Sequence, residues 1–369
     1  MVFLLISENI PPYPVVCNLP YPYIQEEEAH MQNTVIIAGA GTFGTAMAER
    51  LSWNTSNTVI LYNRDKAVVD DINKHHRNSK YFPSHILNTS IRATDDQHIF
   101  SYADEIFLVI PSKAIVSFTN EIKDIAPKDA LVINLAKGMS DDGAFITERI
   151  PFSKTASMKG PSFAIEVLNG LPTAFTFGGK KNDYNQLRKQ VLASTAIQLD
   201  YTEDIRSVEL LSILKNMYAV AIGVVSGKYN SPNVDFLIYT KCVREMRQFL
   251  SLFGCEEDAI FRYCGIGDLG LTSLNDLSRN RTMGLLIGKG FTLDQGGSSS
   301  TIVEGYRTIK LMGQLTREQD VQEDFPIVQA LYRLIYEGES VNQYVTDVLE
   351  SDADPIKQVK RVLDASMPF

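Results

Sequence analysis

Residues 34–62 read TVIIAGAGTFGTAMAERLSWNTSNTVILY, and no other stretch restricts the fold as much. An apolar run of strand length, TVIIA, leads directly into a loop with Gly39, Gly41 and Gly44 at G-x-G-x-x-G spacing. The loop opens a segment of helical character, 43–52, and a second apolar run, TVILY, follows. In that order the first glycine permits a tight turn, the second lets backbone approach a pyrophosphate, and the third lets helix pack on strand. The helix start then offers unpaired N–H groups and a partial positive charge to an anion. The unit predicts a dinucleotide site, against the plainer reading of a glycine-rich turn without ligand.

Cofactor choice is read at the end of the second strand, where an acidic residue suits NAD and an arginine suits the extra phosphate of NADP. The chain has LYNRDK there, with Arg64 twenty positions beyond Gly44 and Asp65 beside it. Arg64 can stack on adenine or meet a 2′-phosphate, while Asp65 keeps NAD open. Use of both NAD and NADP is the expectation.

Further buried strands are predicted at EIFLVI (105–110), ALVINLA (130–136), PTAFTFGG (172–179) and IQLDY (197–201), with helical stretches such as 112–124 between them. Such alternation predicts a mostly parallel sheet with helices on both faces. After Tyr201 the strand pattern stops, and 204–226, 232–252, 281–288, 302–313 and 325–336 read as helices. A chain of 369 residues is long for one core. Two domains are expected: an α/β, Rossmann-like domain over 34–201 and an all-α substrate-binding domain over 202–369. Residues 1–33 hold five prolines, an acidic run and a short apolar start without a basic flank. They read as a poorly ordered extension, neither signal peptide nor helix.

A net charge of −9 gives no basic footprint, so neither nucleic acid nor an anionic membrane is an expected partner. The apolar runs are broken by charges short of a membrane span, so no membrane insertion is expected. Cys17, Cys242, Cys255 and Cys264 show no CxxC pairing, and no histidines have zinc spacing. A reducing cytoplasm and no metal are therefore expected.

One apolar segment, VELLSILKNMYAVAIGVV (208–225), carries a lone cation at its middle. On a helical wheel Glu209, Ser212, Lys215, Asn216, Ala219, Gly223 and Ser226 form one narrow polar stripe on a greasy helix. The small residues of the stripe are expected to leave room beside Lys215. A desolvated lysine loses affinity for its proton and can then donate and accept near neutrality. The alternative is a lysine that snorkels to the surface or pairs with Glu209. NLAKGMS places Lys137 just beyond a parallel strand, at the edge where such sheets bind ligands. In GIGDLGLTSLNDLSRNRTMG (265–284), Ser278 suits a helix cap with Arg279 and Asn280 in the first turn, a group suited to a phosphate.

Taken together these segments resemble the NAD(P)-dependent glycerol-3-phosphate dehydrogenases of the soluble bacterial type. The resemblance runs from Thr34 to the C-terminus through GAGTFGTA, NSKYFP (78–83), AKG (136–138), GPSFAIEV (160–167), ELLSILKNMYAVAIGVVSG (209–227), GIGDL with SRNRTMG, and VEGYRT (303–308). It implies interconversion of dihydroxyacetone phosphate and sn-glycerol 3-phosphate, which feeds phospholipid synthesis, and a homodimer.

The resemblance also implies residue roles. Lys215 would be the acid/base, with Lys137 and Asn216 polarising the carbonyl and Asp268 orienting Lys215. Lys137, Gly160, Ser162, Asp268, Thr272, Ser278, Arg279 and Asn280 would meet the substrate. Gly39, Gly41, Thr42, Phe43, Gly44, Arg64, Tyr81, Lys137, Ala164, Arg279 and Glu304 would line the cofactor. The chain departs from the pattern at YNSPNVDFLIYT (229–240) and at GDLGLTSLND (267–276). Two rival readings stay open: a reductase of another 2-keto compound, of ketopantoate or opine type, and a non-catalytic dinucleotide-binding protein.

Overall fold

A computed structural model describes residues 32–140, 143–291 and 304–351. Residues 1–31, most of the predicted extension, lie outside the described residues, while Asn33 already belongs to the first strand. The described residues belong to one compact unit that begins at Gln32.

Eight strands form one sheet: β1 Asn33–Ala38, β2 Asn57–Tyr62, β3 Arg92–Thr94, β4 Glu105–Leu108, β5 Leu131–Asn134, β6 Thr155–Lys159, β7 Thr173–Gly178 and β8 Ile197–Thr202. Their order is β3-β2-β1-β4-β5-β6-β7-β8. Every neighbouring pair is parallel except β6 and β7. Chain direction across the sheet reverses between β1 and β4, which opens a crevice at their carboxyl ends.

Side chains alternate across the sheet with period two. Val35, Ile37, Phe107 and Ile133 pack on one face, and Ile36, Ala38, Ile106, Leu108 and Val132 on the other. Both faces are covered, so these strands read as unbroken apolar runs. Between the strands lie α1 Thr42–Leu51, α2 Lys66–His75, α3 Ser112–Ile122, α4 Ala164–Leu168 and α5 Lys181–Gln186.

After Thr202 the described chain is helical: α6 Ile205–Tyr229, α7 Pro232–Leu252, α8 Asp268–Ser273, α9 Arg279–Gly288, α10 Glu304–Glu318, α11 Pro326–Tyr336 and α12 Val341–Glu350. The fold is thus a mostly parallel, Rossmann-like α/β region followed by a helical region. Asp204 caps α6 by accepting from Ser207 N at 3.2 Å, and Asn230 ends it in the left-handed conformation. From Ser207 to Ser226 every residue of α6 is buried. By length and hydropathy α6 could cross a membrane, but here it is the core helix around which the others pack.

Glycines set the contact between α6 and α9. A Cβ on Gly223 would lie 2.5 Å from Arg281 O, and one on Gly284 would lie 2.3 Å from Val220 O. One turn on, Gly227 and Gly288 repeat the arrangement against Leu285 O and Val224 O. Gly223, expected to leave room beside Lys215, instead receives the backbone of α9. Close backbone approach of this kind gains van der Waals and Cα–H···O contacts that larger side chains would forbid. On the far side of α6, the buried Glu245 of α7 accepts from Ile327 N and Val328 N, both at 2.9 Å, and from Tyr218 Oη at 3.1 Å. It caps α11 and ties that helix to α6. Burial raises the Glu245 carboxyl to about 7.

Candidate active site

The glycines of the phosphate loop differ in what surrounds them. Gly39 has φ +115°, and a Cβ there would meet Val109 O beyond β4 at 2.5 Å. A Cβ on Gly44 would meet Gly39 O at 1.9 Å, so α1 rests directly on the turn. Around Gly41 nothing lies within 4 Å of a built Cβ. No side chain caps α1. The loop is thus open at Gly41 and the start of α1 has no side-chain cap, which fits a pyrophosphate. Asn78 holds this shape from below: its buried amide donates to Ala40 O at 2.9 Å and Thr45 Oγ1 at 2.8 Å.

Thr42 is exposed and Phe43 half-buried, its ring set edge-on to Phe175. Arg64 is exposed at the end of β2 and pairs with Glu121 at 2.9 Å. Asp65 caps α2 through Ala67 N and pairs with Lys80. Its carboxylate is held below the usual range first by the Lys80 hydrogen bond. Tyr81 is exposed beneath the Lys80 ammonium. Glu304 begins α10, and its side chain lies outside the described residues.

The second group of residues gathers at the carboxyl edge of β5 and β6 and on α6. Lys215 is fully buried and forms an ion pair with Asp268, the first residue of α8. Beyond that pair the Lys215 ammonium has no hydrogen-bond acceptor among the described residues, and Asp268 Oδ2 has no donor. Burial is the largest influence on Lys215 and holds it below the usual lysine range, at about 7. Asp268 pulls upward, and Lys137, beside it, pushes further down. Lys137 is half-buried in the turn after β5. Gly160 follows β6, where a Cβ would meet Ala174 O at 2.2 Å. Ser162 Oγ bonds Gly160 O at 3.0 Å, and Ala164 opens α4.

Residues 34–185 match the family model described as NAD-dependent glycerol-3-phosphate dehydrogenase N-terminus, and residues 204–346 match the corresponding C-terminus. A glycerol-3-phosphate dehydrogenase [NAD(P)+] of Methanothermobacter thermautotrophicus is 34% identical, over 87% of this chain and 99% of its own. One from Staphylococcus aureus strain JH9 is 31% identical, over 86% and 98%. The crystal structure of glycerol-3-phosphate dehydrogenase from Coxiella burnetii superposes with a TM-score of 0.77 at 25% identity, covering 87% of this chain and all of that one. The chain belongs to the NAD-dependent glycerol-3-phosphate dehydrogenase family.

Within this member of the family, Ser278 caps α9, its Oγ accepting from Arg281 N at 3.3 Å. Asn280 donates to Asn216 Oδ1 at 3.1 Å and accepts from Gly305 N at 3.3 Å, so one amide joins α6, α9 and α10. Arg279 is exposed and makes no hydrogen bond or ion pair among the described residues. Of the SRN group it alone has an uncommitted charge, with the first turn of α9 behind it. Thr272 is half-buried on α8. Arg281 is structural: it donates to Ser273 O and Ser226 Oγ and faces Asp235.

A polar layer underlies the lysines. Asn134, fully buried at the end of β5, donates to Glu209 Oε1 at 2.5 Å and accepts from Ala136 N at 2.9 Å. Glu209 also accepts from Thr147 Oγ1 at 2.9 Å and Thr147 N at 3.3 Å. Lys159, the last residue of β6, donates to Asn134 O at 2.6 Å. Glu209 stands on the predicted polar stripe, whereas Asn78, Asn134 and Lys159 were not among the expected site residues. Asn134 and Lys159 are single polar residues at strand ends with no spacing that marks them, while Asn78 opens the NSKYFP segment.

Proposed function

We propose that the chain reversibly reduces dihydroxyacetone phosphate to sn-glycerol 3-phosphate with NADH or NADPH, supplying the glycerophospholipid backbone. The observation that carries this reading is the buried Lys215–Asp268 pair, with donor hydrogens to spare, beside Lys137 at the carboxyl edge of a dinucleotide-binding sheet. Residues 34–201 hold the cofactor, and residues 202–369 contribute the acid/base and phosphate-binding groups.

When bound, NAD(P)(H) would supply the hydride chemistry at C2 of the substrate, giving hydride in reduction and accepting it in oxidation. Gly39, Gly41, Thr42, Phe43 and Gly44 receive the pyrophosphate on the start of α1. Arg64 and Tyr81 flank the adenosine end, and Ala164, Arg279 and Glu304 complete the dinucleotide's lining. The substrate carbonyl oxygen lies between the Lys215 and Lys137 ammonium groups, with the Asn216 amide adding polarity. As negative charge builds on that oxygen, Lys215 gives up a proton and Asp268 keeps its ammonium aimed. In oxidation the neutral amine takes the proton back. Arg279, Ser278, Asn280 and Thr272 anchor the phosphate, with Gly160 and Ser162 against the carbon chain. Binding energy from the non-reacting end thus orients C2.

The buried free thiols Cys242, Cys255 and Cys264 suit a reducing, cytoplasmic compartment. A homodimer is part of the proposal, and light scattering of the purified protein tests it. The function itself is tested by following NADH and NADPH oxidation with dihydroxyacetone phosphate and with unphosphorylated dihydroxyacetone. The phosphorylated ketone is expected to give a kcat/KM at least about a hundredfold higher, since the phosphate anchor orients the reacting carbon. Equal turnover of the two, or better turnover of a 2-keto acid, would overturn the reading.

A further inference from the structure

Lys159 is a buried cation that the mechanism above does not use. It is 2% exposed, ends β6 and sits directly before Gly160. Its one hydrogen-bond acceptor among the described residues is a backbone carbonyl, Asn134 O, at 2.6 Å. That carbonyl belongs to the residue whose side chain holds both Glu209 and the first N–H of the Lys137 turn, at Ala136. Three segments therefore meet at Asn134: β6 through Lys159, α6 through Glu209 and the Lys137 turn through Ala136.

A backbone carbonyl does not neutralise an ammonium, so the burial of Lys159 needs an anion nearby. Glu209 is the anion with the largest influence on it, followed after Lys137 by Asp268. Burial lowers Lys159 to about 7 and raises Glu209, and each opposes that shift in the other.

We propose that Lys159 is a positioning residue of the reaction: through Asn134 it fixes the Lys137 turn against α6, and with Glu209 it sets the charge balance around Lys137 and Asp268, the two groups that flank Lys215. The inference rests on Lys215 being the proton donor. Around Lys159 stand Glu209 from α6, Lys137 from the β5 turn, Asp268 from α8 and Cys264 just before α8. Around Lys215 stand Asp268 and Lys137. Other charges packed on α6 are turned elsewhere: Glu245 to Tyr218, Arg281 to Ser273 O and Asp235, and Arg307 to Ser140 O.

The sign of the effect on Lys215 follows from Coulomb's law. Removing the Lys159 cation removes a repulsion and leaves Glu209 unopposed, and both changes favour the Lys215 ammonium. Removing the Glu209 anion does the reverse.

The test is the pH profile of kcat for ketone reduction in three full-length variants: Lys159→Met, Glu209→Gln and the two combined. In Lys159→Met the limb on which activity falls with rising pH is expected to move up by about 0.5–1 pH unit, the size of one screened unit charge. In Glu209→Gln it moves down, and in the double variant it returns close to the parent. A merely structural role would lower activity in all three without this alternation. If Lys159→Met does not fold, Glu209→Gln carries the test by its downward shift. Single variants whose limbs stay put, or move in the same direction, would overturn the proposal. Failure of the underlying reading has a separate mark, because Lys215→Ala would then retain near-parent turnover.

Discussion

At the glycine loop the groups proposed to face a ligand are backbone N–H dipoles framed by glycines, and the space around Gly41 is open. At Lys215 they are full charges inside the protein, held by side chains from α6, α8 and the β5 and β6 ends. The loop is made almost entirely by neighbours in sequence, with Asn78 and the Val109 carbonyl as distant contributors. The lysine centre is made by residues that the chain brings together from 134 to 268. A backbone cradle can be broken only by filling it, whereas a charge cluster is broken by changing one charge. The two regions should therefore respond differently to the same kind of substitution.

The largest effect is expected at Lys215. Lys215→Ala should lower kcat at least about a hundredfold, the usual size of acid–base catalysis, while NADH binding by fluorescence titration stays within about twofold. The substitution also strands Asp268, a loss of about 3–5 kcal/mol for a broken buried pair. Combining it with Asp268→Asn should recover most of the lost Tm and none of the activity. In the parent enzyme, kcat for reduction should fall as pH rises through about 7, and kcat for oxidation should rise over the same interval, because the two directions need opposite forms of Lys215.

At the loop the comparison turns on two glycines. Gly44→Ala puts a methyl into the Gly39 carbonyl and should destabilise the protein by about 1–3 kcal/mol, seen in chemical denaturation. Gly41→Ala has room in the free protein, so its Tm should stay level while KM for the cofactor rises about tenfold, the added methyl meeting the pyrophosphate. A fall in Tm for Gly41→Ala would show that the open side of the loop is not reserved for ligand. A smaller effect is expected from Arg64→Ala: a KM for NADPH raised about fivefold to tenfold, with that for NADH changed less.

The smallest effect is one of stability. The Glu245 carboxyl is raised to about 7 in the folded protein, so the folded state holds that proton more tightly than the unfolded chain. Its contribution is full below the ordinary carboxylate range and is lost as pH rises through about 7. Thermal melts should show Tm falling across that interval, and Glu245→Gln should flatten the fall.

The glycine loop, six of the eight strands and the change to helix after Tyr201 were legible because each rests on local pattern: short range and regular spacing. β3 was not, since Arg92–Thr94 is three residues long with no apolar run. α2 was hidden for a related reason, its apolar face reduced to Val68, Val69 and Ile72 among charges. In the site, Lys215 stood out because it contrasts with its own helix. Asn134 and Lys159 have no such contrast, and their meaning comes only from the register of β5 beside β6. The glycines of α6 show the opposite error: the sequence reveals a small-residue stripe, yet only the packing says that another helix fills it.

That glycine seam has a consequence for how this enzyme wears out. With carbonyls of one helix set against α-carbons of the other, the glycine seam between α6 and α9 leaves little side-chain volume to rearrange as the contact loosens. The helix carrying Lys215 and the helix carrying Arg279 must then part abruptly or stay docked. Catalytic activity is then expected to act as a thermometer for the whole helical core, with inactivation and cooperative melting sharing one midpoint.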